Sequence, residues 1–245
     1  MATRTPKLLK HYTSIKNLFK ILDSKSLLLG DTKKWKDKND TAAVRAFCRL
    51  KGERIQARVL CFAEGEEVIH HWNTYAKNGC FIEFNENEIL KEITGPDFLH
   101  GFVKYKHNKE ITKAYLNRQK TNALPFLKRS PYKCEKEYRL IWFGKANKPA
   151  SIPLKSNTIK RITLSPQIPD IKRKELQSEI EKKLENQFGK NGIEVELSRL
   201  LKLDKWISKF DHLGKATPAI AKPKRLSKAG KRRLKRPRHR PSNYK

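Results

Sequence analysis

Three short stretches of this sequence gather residue types that can do chemistry. The last is Tyr132-Lys133-Cys134-Glu135-Lys136-Glu137-Tyr138-Arg139. Residues two apart on a strand share a face. Glu135 and Glu137 therefore read as projecting together from the start of a strand that continues through Leu140-Ile141-Trp142. Two carboxylates side by side repel, and one becomes easier to protonate. Such a pair suits acid/base work. It also suits stabilising the positive charge that develops on a sugar carbon when a glycosidic bond breaks. Arg139, two residues further on the same face, could hold a carboxylate or a phosphate. The plainer alternative is a solvated, charge-paired edge, because Glu-x-Glu recurs by chance.

The second stretch holds His70, His71, Trp72 and Tyr75, followed by Gly79-Cys80-Phe81-Ile82-Glu83-Phe84. Trp72 and Tyr75 lie three apart and meet on one face of a helix. Most such pairs are core, but they can also form a stacking platform for a planar ring. No His follows His70 or His71 at i+4, so a metal site there is weakly supported. The first stretch is His11-Tyr12-Thr13, just ahead of a helix. A lone histidine is more often a hydrogen-bonded structural residue than a ligand. The four cysteines, at 48, 61, 80 and 134, form no CxxC pair, which argues against zinc or iron–sulfur binding. They read as reduced thiols of a cytoplasmic protein. GxGxxG and GxxxxGK[ST] are both absent, so neither a Rossmann site nor a P-loop is supported.

The elements that position these residues follow from hydrophobic spacing. Helices are expected over 14–22, 41–51, 66–76, 172–188 and 203–210, with Thr13 or Ser14 capping the first. A long polar helical stretch is expected over 108–129, disturbed at Pro125. Strands are expected over 58–63, 80–84, 98–106, 137–143, 151–154, 159–164 and 193–197. Residues 27–30 read as a short extended piece and 35–40 as loop. Strands and helices mix without regular βαβ alternation, which points to an α+β fold with a single mixed sheet. Residues 1–213 form that domain. Residues 214–245 read as a disordered Lys/Arg/Pro-rich tail.

Charge sets the partner. The 245 residues carry 56 Lys+Arg against 25 Asp+Glu, a net charge of +31. Residues 215–245 hold 13 of those bases and no acid, so the remaining 43 bases and 25 acids leave +18 on the body. A chain this basic meets polyanions. Tail residues Lys224, Arg225, Lys231, Arg232, Arg233, Lys235 and Arg236, together with Arg139, are candidate contacts to nucleic-acid phosphates. Tyr244 is the tail's only aromatic, so stacking is not the expected mode of the tail itself. The alternative is that the tail only localises the protein to nucleoid, ribosome or anionic membrane. No stretch approaches a bilayer span, and no apolar core follows the basic start of the chain.

Taken in order, His11-Tyr12-Thr13-Ser14, Asn39-Asp40, Trp72 with Tyr75-Ala76 and Gly79, and Tyr132 with Glu135-Lys136-Glu137-Tyr138-Arg139 resemble the domain-of-unknown-function family numbered 2971. Ile152-Pro153 and 159–166 extend the likeness, which spans about residues 8–203. Tyr138 stands where that family has Trp, and Thr41 where it has Pro after Asn-Asp. The family is similar to the ADP-ribosyltransferase superfamily. The resemblance implies an ADP-ribosyltransferase-like fold with NAD as substrate. It implies His11 as the ribose binder, with Tyr12 and Thr13 beside it, and Tyr75 (or Trp72) as the residue stacking on nicotinamide. It implies Glu137 as the catalytic carboxylate and Glu135 as its upstream partner, orienting the acceptor. The expectation is an ADP-ribosyl-transferring or NAD-cleaving enzyme recruited to nucleic acid. The alternative is a catalytically inactive nucleic-acid-binding protein. The enzyme reading asks that His11, Tyr75 and Glu137 converge on one cleft.

Overall fold

A computed structural model describes residues 7–35, 37–93, 95–145, 150–189, 192–201 and 204–210. The chain divides into two units, Met1–Lys202 and Leu203–Lys245. That division falls ahead of the boundary expected at 213/214.

The first unit is built on one eight-stranded sheet. Its chain begins β1 (Leu8–Thr13), α1 (Ile15–Ser24), β2 (Ser26–Leu28), β3 (Gly30–Asp31), α2 (Lys38–Lys51), β4 (Ile55–Glu64), α3 (Ile69–Tyr75), β5 (Cys80–Asn85) and α4 (Glu86–Lys91). It continues β6 (Phe98–Phe102), β7 (Lys104–Lys106), α5 (Lys113–Arg118), β8 (Leu127–Arg129), β9 (Glu137–Lys145), β10 (Ser151–Pro153), β11 (Ile159–Leu164), α6 (Asp170–Phe188) and β12 (Glu194–Leu197). The main sheet runs β12-β11-β5-β1-β4-β9-β6, with β3 paired to β4. All its pairs are antiparallel except β11 with β12, which α6 connects as a crossover. The mixed α+β class is as expected from the sequence.

Directly paired residues share a face of a sheet. The register puts Leu9, Phe62, Tyr138, Leu140, Ile82, Phe84, Ile162 and Leu164 on one face. All are buried in the main core with Leu18 and Leu22 of α1 and Ile180 and Leu184 of α6. Burying each such side chain contributes about 1.5–3 kcal/mol. Helix α1 starts where it does because the Ser14 hydroxyl accepts the Asn17 N–H at 3.2 Å.

The opposite face carries Lys10, Tyr12, Cys61, Glu83, Glu137, Arg139 and Arg161. Helix α2 covers one end of it, with Val44 against Ala57, Val59 and Ile141. Helix α3 covers another part, where Trp72 packs with Phe81 and Tyr12.

Three expectations need correction. The stretch 108–129 is not one helix. It breaks into a 3-10 turn at Asn108–Glu110, α5, a 3-10 segment at Thr121–Phe126 containing Pro125, and strand β8. Pro125 lacks the N–H a helix needs, and β8 then pairs in parallel with β7. The expected loop over 35–40 is shorter, because α2 begins at Lys38 and takes in Asp40. Finally, Glu135 does not lie on the β9 strand. It ends a 3-10 segment, Ser130–Glu135, and Lys136 follows in the left-handed region at φ 43°.

Candidate active site

The site forms where the start of β9, the accessory β7–β8 ladder, α2 and α3 meet. Left-handed Lys136 sits between the two glutamates, and both still reach one ammonium group. Lys128 Nζ lies 2.5 Å from Glu135 Oε2, 3.0 Å from Glu137 Oε2 and 3.0 Å from Asp40 Oδ2. The β7–β8 register, which pairs Tyr105 with Lys128, brings that lysine in.

Arg139 is fully buried. Its Nε donates to Glu137 Oε1 at 2.7 Å, and its Nη2 donates to Glu137 Oε2 and to Asp40 Oδ2, each at 3.0 Å. Its Nη1 donates to the Pro125 carbonyl at 2.7 Å, and its guanidinium lies 5.2 Å from the Trp35 ring centre. The Glu137 N–H donates to the Tyr105 hydroxyl at 2.9 Å. Tyr75 closes the network at the surface. Its hydroxyl donates to Glu135 Oε1 at 2.9 Å, and the residue is 47% exposed.

Electrostatics sort the two glutamates. Burial works to raise the Glu137 pKa, but the charge and hydrogen bonds of Arg139, with Lys128, outweigh it and bring it down to about 2. The expected easing of protonation therefore does not occur at Glu137, because two cations separate the carboxylates. Burial raises Asp40 despite Arg139 and Lys128. Burial, with Glu135 alongside, raises the Tyr75 phenol. Three carboxylates against two cations leave the network one negative charge. Among the described residues, no group of three or more His, Cys, Asp or Glu is arranged to hold a metal ion.

The structure brings together Tyr75, Glu135, Glu137 and Arg139. It does not bring His11 to them, so the convergence of His11, Tyr75 and Glu137 on one cleft, which the resemblance-based enzyme reading asks for, is not met. His11 pairs with Ile82 and so lies on the apolar face, its ring edge-on to Phe62 at 5.9 Å. Its Nδ1–H donates to the Cys61 carbonyl at 3.0 Å, and burial lowers its pKa. Thr13 shares that face and is buried. Trp72 is fully buried, with its indole N–H on Glu67 at 2.6 Å, so it offers no ring to a ligand. Tyr12 points to the polar face, 5.1 Å from the His71 ring. Arg139 is too deep to meet a nucleic-acid phosphate. The tail candidates Lys224, Arg225, Lys231, Arg232, Arg233, Lys235 and Arg236 lie outside the described residues.

Lys128 and Tyr105 emerge only from the structure, while Asp40 and His71 were visible in the sequence without the surroundings the structure gives them. Lys128 fell inside a stretch that reads as helix. Asp40 belongs to the Asn39-Asp40 pair, which carries no chemistry by spacing alone. His71 is buried with neither ring nitrogen hydrogen-bonded among the described residues, beside a Tyr12 hydroxyl in the same condition. Comparison with known proteins adds no relative: no family model, no curated protein and no solved structure matches this chain.

Proposed function

We propose that this chain is an ADP-ribosyltransferase-like enzyme acting on NAD at the Tyr75–Glu135 end of the network, and that its basic body and tail bring it to nucleic acid. One observation carries the reading: a half-exposed tyrosine holds a carboxylate at the rim of a buried network of net charge −1. The nicotinamide ring of NAD is a cation, and both the aromatic face and the net charge favour it. When the bond from ribose C1′ to the ring nitrogen breaks, its electron pair goes to that nitrogen. The ring becomes neutral and positive charge passes to the sugar. Glu135 stands beside that charge. An acceptor hydroxyl or water then adds to C1′ and gives its proton to Glu135.

The roles of the glutamates differ here from those the resemblance implies. Both glutamates are buried and both hold Lys128, but the other oxygen of Glu137 is held by the fully buried Arg139, whereas the other oxygen of Glu135 is held by the half-exposed Tyr75, which a ligand can displace. Glu137 therefore positions Lys128 and, through it, Glu135. Neither His11 nor Trp72 has a part in this reading.

A second reading is favoured by a specific observation. His11 lies on the opposite face from Glu137, which suits a catalytically inactive nucleic-acid-binding protein. Nicotinamide release from NAD, with RNA, DNA and protein offered as acceptors, separates the two. Release that falls at least about 100-fold in Glu135→Gln supports the enzyme. No release with any acceptor, alongside salt-sensitive nucleic-acid binding, leaves the second reading standing.

A further inference from the structure

α2 and α6 are the two longest described helices, and they carry charge differently. Along Asp170–Phe188, α6 mixes five bases with five acids, the pattern of a solvated face. α2 carries four bases and one acid, and that acid, Asp40, turns inward to Arg139 and Lys128. Lys38, Ala42, Arg45 and Arg49 recur at i, i+4, i+7 and i+11, so they form one stripe. All four are exposed, on the side of the helix opposite buried Val44 and Phe47. Among the described residues, no carboxylate pairs with the three bases of the stripe. Where α2 ends, Lys51 lines an open groove of about 280 Å³ together with Trp142, Lys145 and Asp97. The Lys51 ammonium stands 4.9 Å from the Phe143 ring centre, which holds it there. The six-membered ring of Trp142 lies against Gly144, where a Cβ would stand 2.4 Å from Cζ2.

We infer that the outer stripe of α2 is the docking surface for a single nucleic-acid strand, with phosphates on Lys38, Arg45 and Arg49 and an unpaired base in the groove beside Trp142. This rests on the recruitment reading above and deepens it, because it names the surface of the folded body that does the recruiting. Three cations in a row, with no acid of the protein competing for them, are free to pair with phosphates. From Lys38 to Arg49 the stripe runs about 16 Å along the helix axis, long enough for more than one phosphate. Its first turn holds Asp40, which shares Lys128 with Glu135. A strand on the stripe therefore leads towards the network that ends at Tyr75 and Glu135. At the other end, the groove has room for one nucleobase, the indole offers it a stacking partner, and two lysines outnumber Asp97. A duplex keeps its bases inside, so the groove favours an unpaired one. An anionic membrane calls for apolar side chains on the docking face, and the stripe offers only Ala42.

The test uses the full chain with oligouridine and oligothymidine single strands, a hairpin duplex of equal phosphate number, and phosphatidylglycerol vesicles. In Lys38→Gln/Arg45→Gln/Arg49→Gln, single-strand affinity is expected to fall at least about tenfold, and the slope of log affinity against log salt to flatten by about 2. Lys172→Gln/Lys174→Gln/Lys182→Gln removes the same charge from α6 and should change affinity by less than about twofold. All six side chains are exposed, so both variants should melt with the parent. A strand bearing iodouracil should photo-cross-link to the peptide that holds Trp142. Equal losses in the two triple variants would reduce the effect to net charge and overturn the inference. An α2 variant that binds like the parent, one that loses only vesicle binding, a duplex bound as tightly as the single strand, or cross-links away from the groove would overturn it too. Binding through α2 without nicotinamide release leaves the docking surface standing and removes the enzyme reading. A full chain that binds neither nucleic acid at low salt removes the recruitment reading, and the docking surface with it.

Discussion

Lys128 and Glu135 are joined at 2.5 Å, and the same ammonium group answers Glu137 and Asp40 while only 8% of the lysine side chain meets solvent. Burial alone would strip the proton from such a lysine. The three carboxylates outweigh it and push the pKa up. Lys128→Met keeps the stem and removes the charge, leaving Arg139 alone among three buried carboxylates. The expected cost is about 3–5 kcal/mol, read as a lower denaturant midpoint at unchanged m-value. A midpoint matching the parent would show that the network is not closed around Lys128.

The left-handed conformation of Lys136 lets the chain turn between the two glutamates. A residue with a Cβ pays for that conformation, and glycine does not. Lys136→Gly is expected to raise stability by about 0.5–1 kcal/mol, the relief of left-handed strain less the extra freedom glycine gives the unfolded chain. Lys136→Val should lower it by about 1–2 kcal/mol, because a β-branched residue resists positive φ. The two variants moving in the same direction in thermal melts would contradict this account.

Gly79 passes the first strand too closely for any side chain. A Cβ there would stand 2.1 Å from the Thr13 carbonyl oxygen, a backbone atom in the β1–β5 ladder. Neither partner can rotate away. Gly79→Ala should cost about 3 kcal/mol, at the upper end of over-packing effects. Chemical denaturation measures it, and a cost below about 1 kcal/mol would mean the strands separate more easily than the register implies.

Acid should weaken the fold in two stages. Burial lowers His71 from 6.5 to about 4. A histidine lowered in the folded state stabilises it fully above the unfolded value, and that support is lost as pH falls from 6.5 towards 4. The loss amounts to about 2–3 kcal/mol. His11, also lowered by burial, acts in the same direction. Glu137, held at about 2 against an ordinary 4.5, gives support that disappears below pH 4.5. Asp40, raised by burial, opposes this second stage in part. Melting temperature against pH should be flat from 6.5 to about 8, decline from 6.5 to 4 and steepen below. His71→Phe should diminish the first decline, and an unchanged profile in that variant would remove His71 from the explanation.

Much of the sheet was legible because its strands alternate cleanly or run as apolar blocks. β4, β5, β9 and β11 were each anticipated close to their positions. The Glu135–Glu137–Arg139 grouping was also visible, though for a partly mistaken reason. Pleat periodicity suggested that the glutamates share a strand face, whereas a left-handed residue and a lysine from another strand unite them. Lys128 could not be found from periodicity, since a three-residue strand after a proline carries too little pattern. Asp40 lies 99 residues from Arg139, and no local rule connects them. His11 was placed by analogy of position. Its face follows from which neighbour it pairs with, and that depends on β5, about seventy residues further along the chain.

The division of the sheet into an apolar and a charged face also bears on how the chain finds its pairing. The β4–β9 ladder joins Ala63 to Glu137 across a long intervening segment. Such closures are slow and offer competing alignments. A slip of one residue in β9 would turn Glu137 and Arg139 towards Phe62 and Leu60, and Tyr138 and Leu140 away from them. That ion pair would then be buried in hydrocarbon, parted from Lys128 and Asp40. Glu137 and Arg139 of the candidate site thus act as an alignment check as well, penalising every odd-numbered error in the strand that carries them.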